Sequence, residues 1–120
     1  MSRPPSSFDV TQVGDVDVLR VTEAKMAHAA LESLQSELAR RIDAGTRKMV
    51  VNLAPVSFVD SFGIGVIAAT ARKMSEAGGE LKLCGVGERV RMSLTITRLD
   101  KTLDIRADEP EALRSFGARA

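Results

Sequence analysis

Aromatic residues are scarce in this chain: they make up 3% of its 120 residues, and tryptophan and tyrosine are absent. A surface that stacks nucleic-acid bases depends on aromatic side chains, so such a surface is not expected. The single cysteine, Cys84, excludes an internal disulfide and a cysteine-rich zinc site. The single histidine, His28, excludes any site that requires two histidines from one chain. The sequence therefore has little of the usual equipment for catalysis.

The charges are also nearly balanced, with 17 Lys and Arg against 16 Asp and Glu. Proteins that bind nucleic acid usually carry a clear basic excess, so this balance disfavours that class. No apolar run approaches the ~20 residues that a membrane-spanning helix needs, and the Ser- and Pro-rich start lacks the hydrophobic core of a secretory signal. We expect a cytoplasmic protein with a flexible tail over residues 1–7 and one domain over residues 8–120.

The hydrophobic pattern predicts an α/β fold. Two alternating runs around Gly14-Asp15 indicate a β-hairpin, and strands and helices then alternate along the chain. This alternation favours parallel strands joined by right-handed crossovers, to which the hairpin adds one antiparallel strand. We therefore predict a mixed, mostly parallel sheet with about four helices. The predicted strands are 8–13, 16–21, 48–53, 80–84 and 102–106, and the predicted helices are 22–44, 61–77, 88–94 and 109–116.

The two long predicted helices each carry one apolar face. In the first, apolar side chains recur every three or four residues and are expected to face the sheet. Glycines follow both helices, at Gly45 and at Gly78-Gly79, where the left-handed backbone beyond a helix end suits them. The expected inner faces are Ala27, Leu31, Leu34, Leu38 and Ile42 in the first helix, and Ile64, Ile67, Ala68, Ala71 and Met74 in the second.

The most unusual segment is Val56–Ile67, in which a strand leads through Asp60-Ser61 into an apolar helix. Asp and Ser side chains commonly cap a helix by accepting a hydrogen bond from a free N–H group of its first turn. The same N–H groups and the helix dipole tolerate an anion, which makes Ser61 a candidate for phosphorylation. The residue chemistry alone leaves both interpretations open.

Two glycines, Gly63 and Gly65, follow in the first turns of this helix. A glycine costs a helix roughly 1 kcal/mol relative to alanine, which indicates that something approaches the backbone closely. That neighbour is either a binding partner or the sheet on which the helix packs. The segment lacks the Gly-Lys-Ser/Thr of a Walker loop and the dinucleotide-binding pattern, so no nucleotide cofactor is expected.

The remaining candidates favour structural roles. Cys84 lies in an apolar strand, where a cysteine usually acts as a small buried hydrophobe. Ser61 has no histidine near it in sequence to act as a base, so no catalytic triad is indicated and an enzyme is not expected. Positive charge concentrates late in the chain, either on a solvated face or on a partner surface. These cations are Arg89, Arg91, Arg98, Lys101 and Arg106.

The segment Val59-Asp60-Ser61-Phe62-Gly63-Ile64-Gly65-Val66-Ile67 resembles the Asp-Ser-x-Gly-Leu/Ile-Gly motif of bacterial anti-anti-sigma factors, which are members of the STAS domain family. The predicted strand around Val51-Asn52-Leu53 is similar to the central strand of that family. The Gly-Gly turn and strand over Gly78–Cys84 and the region Met92–Ile105 also fit it. The resemblance covers about Phe8 to Phe116 and is strongest in the motif itself.

The resemblance implies a phospho-switch in transcription control. The unphosphorylated protein would bind an anti-sigma factor, a serine kinase with an ATP-binding fold, and so release a sigma factor. The kinase would end the binding by phosphorylating Ser61, and a separate phosphatase would restore the hydroxyl. The expected partner surface is the loop 57–60 with the first turns of the second helix, including Phe62 and Ile64 if they are exposed. Its expected residues are Ser57, Asp60, Ser61, Phe62, Gly63 and Ile64.

The chain departs from the family pattern at two places near this surface. Many members carry a Gly-x-Leu/Ile-Asp turn after the second strand, where this chain reads Arg20–Met26. Phe62 stands where the family often has a small residue, and as an exposed apolar group it would enlarge the partner contact or change the choice of partner. The alternative function is a non-switching STAS scaffold or accessory subunit, in a stressosome-like assembly or a lipid-transport ABC complex. Phosphorylation of Ser61 by an anti-sigma kinase would separate the two functions.

Overall fold

The computed structural model describes residues 8–26 and 28–117. Within these residues, five strands form one sheet in the order β1-β2-β3-β4-β5, with β1 and β2 antiparallel and the other neighbours parallel. The predicted α/β class and mixed sheet are confirmed. None of the described helices combines the length and apolarity needed to cross a membrane. The strands are β1 (Phe8–Val13), β2 (Val16–Val21), β3 (Lys48–Asn52), β4 (Glu80–Cys84) and β5 (Asp104–Arg106), and the helices are α1 (His28–Asp43), α2 (Ser61–Glu76), α3 (Glu88–Ile96) and α4 (Glu109–Ser115), with a 3-10 helix at Leu99–Lys101.

The strand order places three helices on one side of the sheet. β2 to β5 are added one after another in the same direction, and crossovers between parallel strands are right-handed. α1, α2 and α3 therefore share one face, where they join a single apolar core with the strands. α4 returns to the opposite face and packs on β3, β4 and β5. Because α2 follows β3 and α3 follows β4, both helices begin at the carboxyl edge of the parallel strands.

Most of the predicted boundaries hold within a few residues, but two were wrong. The first helix begins at His28 instead of Thr22, because residues 22–26 cross instead to the loop before α2, where Lys25 forms a parallel bridge with Phe58. The last strand begins at Asp104 instead of Thr102, because the 3-10 helix takes up the chain before it. The hairpin turn is confirmed at Gly14, whose φ of 61° suits glycine.

The apolar face of α1 packs into the main core, as its spacing predicts. Leu31, Leu34, Leu38 and Ile42 are each at most 5% exposed. Ala27, the fifth residue of the predicted face, lies outside the described residues. The face therefore holds α1 against the sheet along the full length of the helix.

α2 is rotated slightly from its predicted orientation. Of the five side chains predicted to face inward, three are buried and the two alanines are half-buried. Val66 and Thr70 also enter the core, and Thr70 satisfies its hydroxyl by donating to the Val66 carbonyl oxygen at 2.7 Å. The three buried side chains are Ile64, Ile67 and Met74, and the half-buried alanines are Ala68 and Ala71.

A buried carboxylate holds the amino-terminal edge of the sheet together. Asp17 on β2 is 2% exposed and accepts hydrogen bonds from Gln12 at 2.9 Å and from Thr46 at 2.8 Å. Arg41 of α1 donates to the same carboxylate at 3.0 Å. Burial raises the pKa of Asp17, but the three hydrogen bonds and the Arg41 charge outweigh it and hold the pKa below its usual range. Asp17 therefore ties β1, α1 and the turn before β3 to one strand.

Polar contacts hold α4 on the opposite face of the sheet. Arg20 donates two hydrogen bonds to Glu109, at 2.6 and 2.9 Å, and Asn52 donates to the same carboxylate at 2.6 Å. The Arg20 guanidinium holds the pKa of Glu109 below its usual range, although partial burial opposes it. Lys82, 2% exposed, lies with its amine 4.6 Å from the centre of the Phe116 ring. A helix of only 7 residues is thus attached by charge as well as by apolar contact.

Replacing Leu34 or Leu38 by alanine is expected to lower the free energy of unfolding by roughly 2–5 kcal/mol, because each change leaves a cavity in the core. Urea unfolding followed by circular dichroism measures the loss. The matched control is Gln35→Ala on the exposed face of α1, which should change stability by no more than about 0.5 kcal/mol. A loss below about 1 kcal/mol at both leucines would place this face in solvent and contradict the assignment.

Asp17→Asn is expected to lower the free energy of unfolding by about 2 kcal/mol at pH 7, because hydrogen bonds to a charged group are lost. The folded pKa of Asp17 is lowered, so the carboxylate stabilises the fold above the unfolded pKa and loses that effect as the pH falls through the folded value. The stability gap between wild type and variant should therefore narrow below about pH 4. Chemical unfolding at several pH values measures the gap, with Glu32→Gln as an exposed control. A gap that stays constant would exclude a role for the Asp17 charge.

Candidate functional site

The loop 57–60 leads into a capped helix that begins at Ser61. Asp60 has an extended backbone (φ −81°, ψ −178°), and its Oδ1 accepts a hydrogen bond from the Gly63 N–H at 2.9 Å. Of the two candidate capping residues, Asp60 and Ser61, Asp60 is therefore the N-cap of α2. Ser61 is the first helical residue, it is exposed, and its hydroxyl has no hydrogen-bond partner among the residues that the structure describes. The cap leaves this hydroxyl accessible to another molecule.

The segment that follows β2 holds the same loop from its other side. The Ser57 N–H donates to the Ala24 carbonyl oxygen at 2.9 Å, and the Ser57 hydroxyl donates to that oxygen at 3.3 Å. Lys25 and Phe58 form the parallel bridge beside it. The segment in which this chain departs from the family turn thus contacts the site loop directly. Ser57 positions that loop through backbone and side chain together.

The two glycines of α2 have different surroundings. Gly63 is buried, and a Cβ added there would overlap Cγ1 of Val59 and lie 3.4 Å from Cδ2 of Leu31. Tight packing therefore accounts for Gly63. Gly65 is exposed, and an added Cβ would meet nothing within 4 Å. The space above Gly65 is consequently open to an approaching molecule.

Phe62 is half-buried and Ile64 is buried. The Phe62 ring is half-buried, packs against the main core and stacks on the His28 imidazole, with 4.1 Å between ring centres and 29° between the ring planes. Phe62 is therefore only partly exposed beside Ser61, because the first residue of α1 stacks on its ring. Ile64 is only 8% exposed, although it still reaches the floor of a groove.

This groove lies between α2 and α3 and is open to solvent, with a volume of about 590 Å³. Phe58, Ser61 and Ile64 line it from the side of the loop and α2, and Ser93 and Ile96 line it from α3. Phe58 is 47% exposed and Ile96 is 75% exposed, which are high values for large apolar side chains. The exposed hydroxyl of Ser61 therefore borders an apolar depression and does not stand on a flat surface.

Sequence reasoning missed the wall of the groove that α3 supplies, although the spacing of its residues carried a signal. Val90 and Leu94 are fully buried. The residues at i, i+3, i+4 and i+7 from Arg89 form a separate face that contains two large apolar side chains. An exposed apolar pair on the face turned away from the core is typical of interaction surfaces. The four residues of that face are Arg89, Met92, Ser93 and Ile96.

The late cations divide between structure and surface. Arg106 is bound to Asp104 at 2.6 Å, so its role is structural. Arg89 lies with its guanidinium carbon 6.0 Å from the centre of the Phe58 ring, which brings one cation to the edge of the groove. Arg91, Arg98 and Lys101 are exposed.

The geometry of the site supports binding and modification. Burial raises the pKa of the Cys84 thiol to about 12, so the thiolate needed for nucleophilic chemistry does not form at neutral pH. Residues 8–26 and 28–117 contain no group of three His, Cys, Asp or Glu side chains that could hold a metal ion. The free N–H groups at the start of α2 favour an anion attached at Ser61.

Comparison with known proteins agrees with this geometry. A family model described as the STAS domain matches residues 7–112. The anti-sigma-B factor antagonist of Staphylococcus aureus strain NCTC 8325 is 30% identical over 98 residues, which cover 82% of this chain and 82% of that protein. BtrV of Bordetella bronchiseptica, assigned to the anti-sigma factor antagonists, is 35% identical over 63 residues. That match covers 52% of this chain and 54% of BtrV, so the chain spans about half the length of that relative.

A solved structure shows the same fold. The phosphorylated form of the Bacillus cell-fate determinant SpoIIAA superimposes with a TM-score of 0.75 at 22% identity, over 91% of this chain and 98% of that one. The family match, the relatives and the shared architecture agree with the motif at Asp60-Ser61. The chain therefore belongs to the STAS domain family and is related to the anti-sigma factor antagonists of that family.

Proposed function

We propose that the chain is an anti-sigma factor antagonist whose unphosphorylated form binds a cognate anti-sigma factor and so releases a sigma factor in the bacterial cytoplasm. The anti-sigma factor is a serine kinase with an ATP-binding fold, which ends the binding by phosphorylating Ser61. A separate phosphatase restores the hydroxyl. The observation that supports this function most is the exposed, unpartnered Ser61 hydroxyl at the first position of a capped helix. The relatives named as antagonists support the class of partner.

The partner supplies the chemistry, and this chain is its substrate and ligand. A serine hydroxyl does not ionise at neutral pH, so the kinase must provide the base and the metal-bound ATP. The γ-phosphoryl group passes from ATP to the Ser61 oxygen, the hydroxyl proton passes to the base of the kinase, and ADP leaves. The phosphatase later hydrolyses the phosphoserine to serine and inorganic phosphate.

The switch acts by charge and bulk at a docking surface. A phosphate adds about −1.5 to −2 charge at pH 7. The start of α2 attracts that charge by roughly 0.3–1 kcal/mol, while the neighbouring Asp60 carboxylate repels it, so the fold changes little. A buried phosphate needs hydrogen-bond donors. An interface built for the unmodified hydroxyl does not supply them, so burying the phosphate against a docked partner is costly. Phosphorylation therefore ends binding without unfolding the domain.

The residues of the expected partner surface have different roles in this proposal. Asp60 and Ser61 are exposed and contact the partner. Phe62 is half-buried, and Gly63 and Ile64 are buried, so these three set the position of the first turn of α2. Ser57 fixes the loop before it.

Ser61→Ala is expected to bind the kinase and to take up no phosphate, because the acceptor oxygen is gone. The probes are the purified ATP-binding anti-sigma kinases of the source organism, each assayed with labelled ATP, and Ser75→Ala near the end of α2 is the control that should still be labelled. Ser61→Asp should stay folded in thermal melts and bind the active kinase at least about tenfold more weakly, which is about 1.4 kcal/mol. Ser75→Asp should bind as wild type does.

Two results would remove Ser61 from the mechanism. One is undiminished labelling of Ser61→Ala, and the other is tight binding of the phosphorylated wild type in calorimetry. If no anti-sigma kinase labels the wild type, the non-switching scaffold becomes the better function, and co-purification with other STAS proteins or with a transporter ATPase would then support it.

Phe62→Ala is expected to lower the free energy of unfolding by roughly 1–3 kcal/mol, because the half-buried ring loses its contacts with the core and with His28. The domain should stay folded, and its affinity for the kinase should fall because the first turn of α2 loses support. Phe62→Leu, which keeps apolar bulk, should recover most of the affinity. Calorimetry at a temperature where all variants are folded measures the effect, and unchanged affinity of Phe62→Ala would remove Phe62 from the site.

A further inference from the structure

The Glu109 carboxylate joins α4 to the ends of two neighbouring strands. Its Oε2 accepts hydrogen bonds from Arg20 Nε and from Asn52 Nδ2, both at 2.6 Å, and its Oε1 accepts from Arg20 Nη2 at 2.9 Å. Arg20 and Asn52 form the last pair in the ladder between β2 and β3. One side chain from the opposite face of the sheet therefore holds both strand ends together.

The Asn52 amide connects this carboxylate to the chain that leaves β3. A carboxylate only accepts hydrogen bonds, so it binds the Nδ2 group of Asn52 and leaves Oδ1 free to accept elsewhere. That oxygen accepts from the Ala54 N–H at 2.9 Å. Gly85, directly after β4, packs against the same turn, because a Cβ there would lie 2.7 Å from Asn52 Oδ1 and 2.9 Å from the Ala54 nitrogen. Glu109 thus fixes the orientation of the amide and, through it, the first turn after β3.

The two segments that leave these strand ends meet in the loop before Ser61. The Ser57 N–H of the segment after β3 donates to the Ala24 carbonyl oxygen of the segment after β2, at 2.9 Å. Both residues are exposed, and exposed hydrogen bonds in loops open more easily than those of the core. The strength of this contact therefore depends on how firmly the ends of β2 and β3 are held together.

We propose that Glu109 is a positioning residue of the Ser61 site: its carboxylate holds the ends of β2 and β3 and so keeps the loop 57–60 in the geometry that the anti-sigma kinase engages. The inference rests on the proposed function, in which that kinase phosphorylates Ser61. Glu109 acts through Arg20 and Asn52, so its effect on Ser61 is indirect.

The alternative role for Glu109 is to hold α4 alone. Glu109 is the first residue of α4, where a negative charge also favours the start of a helix. Asp108 already caps this helix by accepting from the Glu111 N–H at 3.0 Å. Leu113 and Phe116 pack it on the sheet. Since α4 has attachments of its own, a change elsewhere in its first turn separates the two roles.

Amide hydrogen exchange measured by NMR tests the contact without a kinase. Glu109→Gln keeps the shape of the side chain, but it removes the charge that binds the Arg20 guanidinium and adds a donor that competes with the Asn52 amide. We expect the Ser57 amide to exchange roughly tenfold faster, because hydrogen bonds to a charged group are weakened and the loop opens more often. The matched control is Glu111→Gln, which removes the same charge from the same turn of α4 and should leave the Ser57 amide as in wild type.

The Val50 amide, in the middle of β3, reports the global stability of the domain in the same spectra. If Glu109 held α4 alone, its replacement would change Val50 and leave Ser57 as it is.

A double variant tests the route through Asn52. Asn52→Ala removes the link between Glu109 and Ala54 and should also speed exchange of the Ser57 amide. Added to Glu109→Gln, it should cause much less further change than it causes alone, because both substitutions act on the same chain of contacts. Fully additive effects would place Glu109 outside this route and contradict the proposal.

The purified kinase that labels Ser61 tests the functional consequence. Glu109→Gln is expected to lower kcat/KM for labelling roughly tenfold, because the acceptor hydroxyl spends less time in the geometry that transfer needs. Glu111→Gln should be labelled as wild type is. Thermal melts fix an assay temperature at which every variant is folded.

The outcomes distinguish this inference from the proposed function. If Ser57 exchange and labelling of Glu109→Gln both stay within about twofold of the Glu111→Gln values, Glu109 holds α4 alone and the proposed function stands. A change in only one of the two measurements also overturns the inference, because the loop and the labelling are then not coupled through Glu109. If no anti-sigma kinase labels the wild type, the proposed function fails, and the positioning of Ser61 for that kinase fails with it.

Discussion

The start of α2 occupies its position because residue 63 has no side chain. A Cβ on Gly63 would overlap Val59, which belongs to the loop before the helix, and would touch Leu31 of α1. The close approach lets α1 cover the Phe62 ring and lets the Asp60 carboxylate reach the Gly63 N–H at 2.9 Å. Ser61 is then left at the outer side of the first turn. The exposure of Ser61 follows from this packing constraint.

The two edges of the sheet have different physical characters. At the amino-terminal edge, the buried Asp17 carboxylate accepts three hydrogen bonds and joins three parts of the chain. At the carboxyl edge, α2 and α3 begin beside each other and leave an open apolar groove with Arg89 at its edge. The polar network and the groove therefore lie at opposite edges of the sheet.

The sequence determined the elements and the position of the site. The spacing of Leu31, Leu34 and Leu38 predicts the buried face of α1, because a helix that packs on one side repeats its apolar residues every three or four positions. The Asp60-Ser61 pair predicts the cap, because an acidic side chain before an apolar helix satisfies the first free N–H groups. These features depend on neighbours in sequence, so local patterns reveal them.

The tertiary structure decided which of these residues are exposed. His28 and Phe62 are 34 positions apart, and only the packing of α1 beside α2 stacks their rings and leaves Phe62 half-buried. The wall that Ile96 adds to the Ser61 groove arises because successive right-handed crossovers place α2 and α3 on the same face. Local sequence predicts an element and its apolar face, but contacts between distant elements follow from how the whole chain packs around its core.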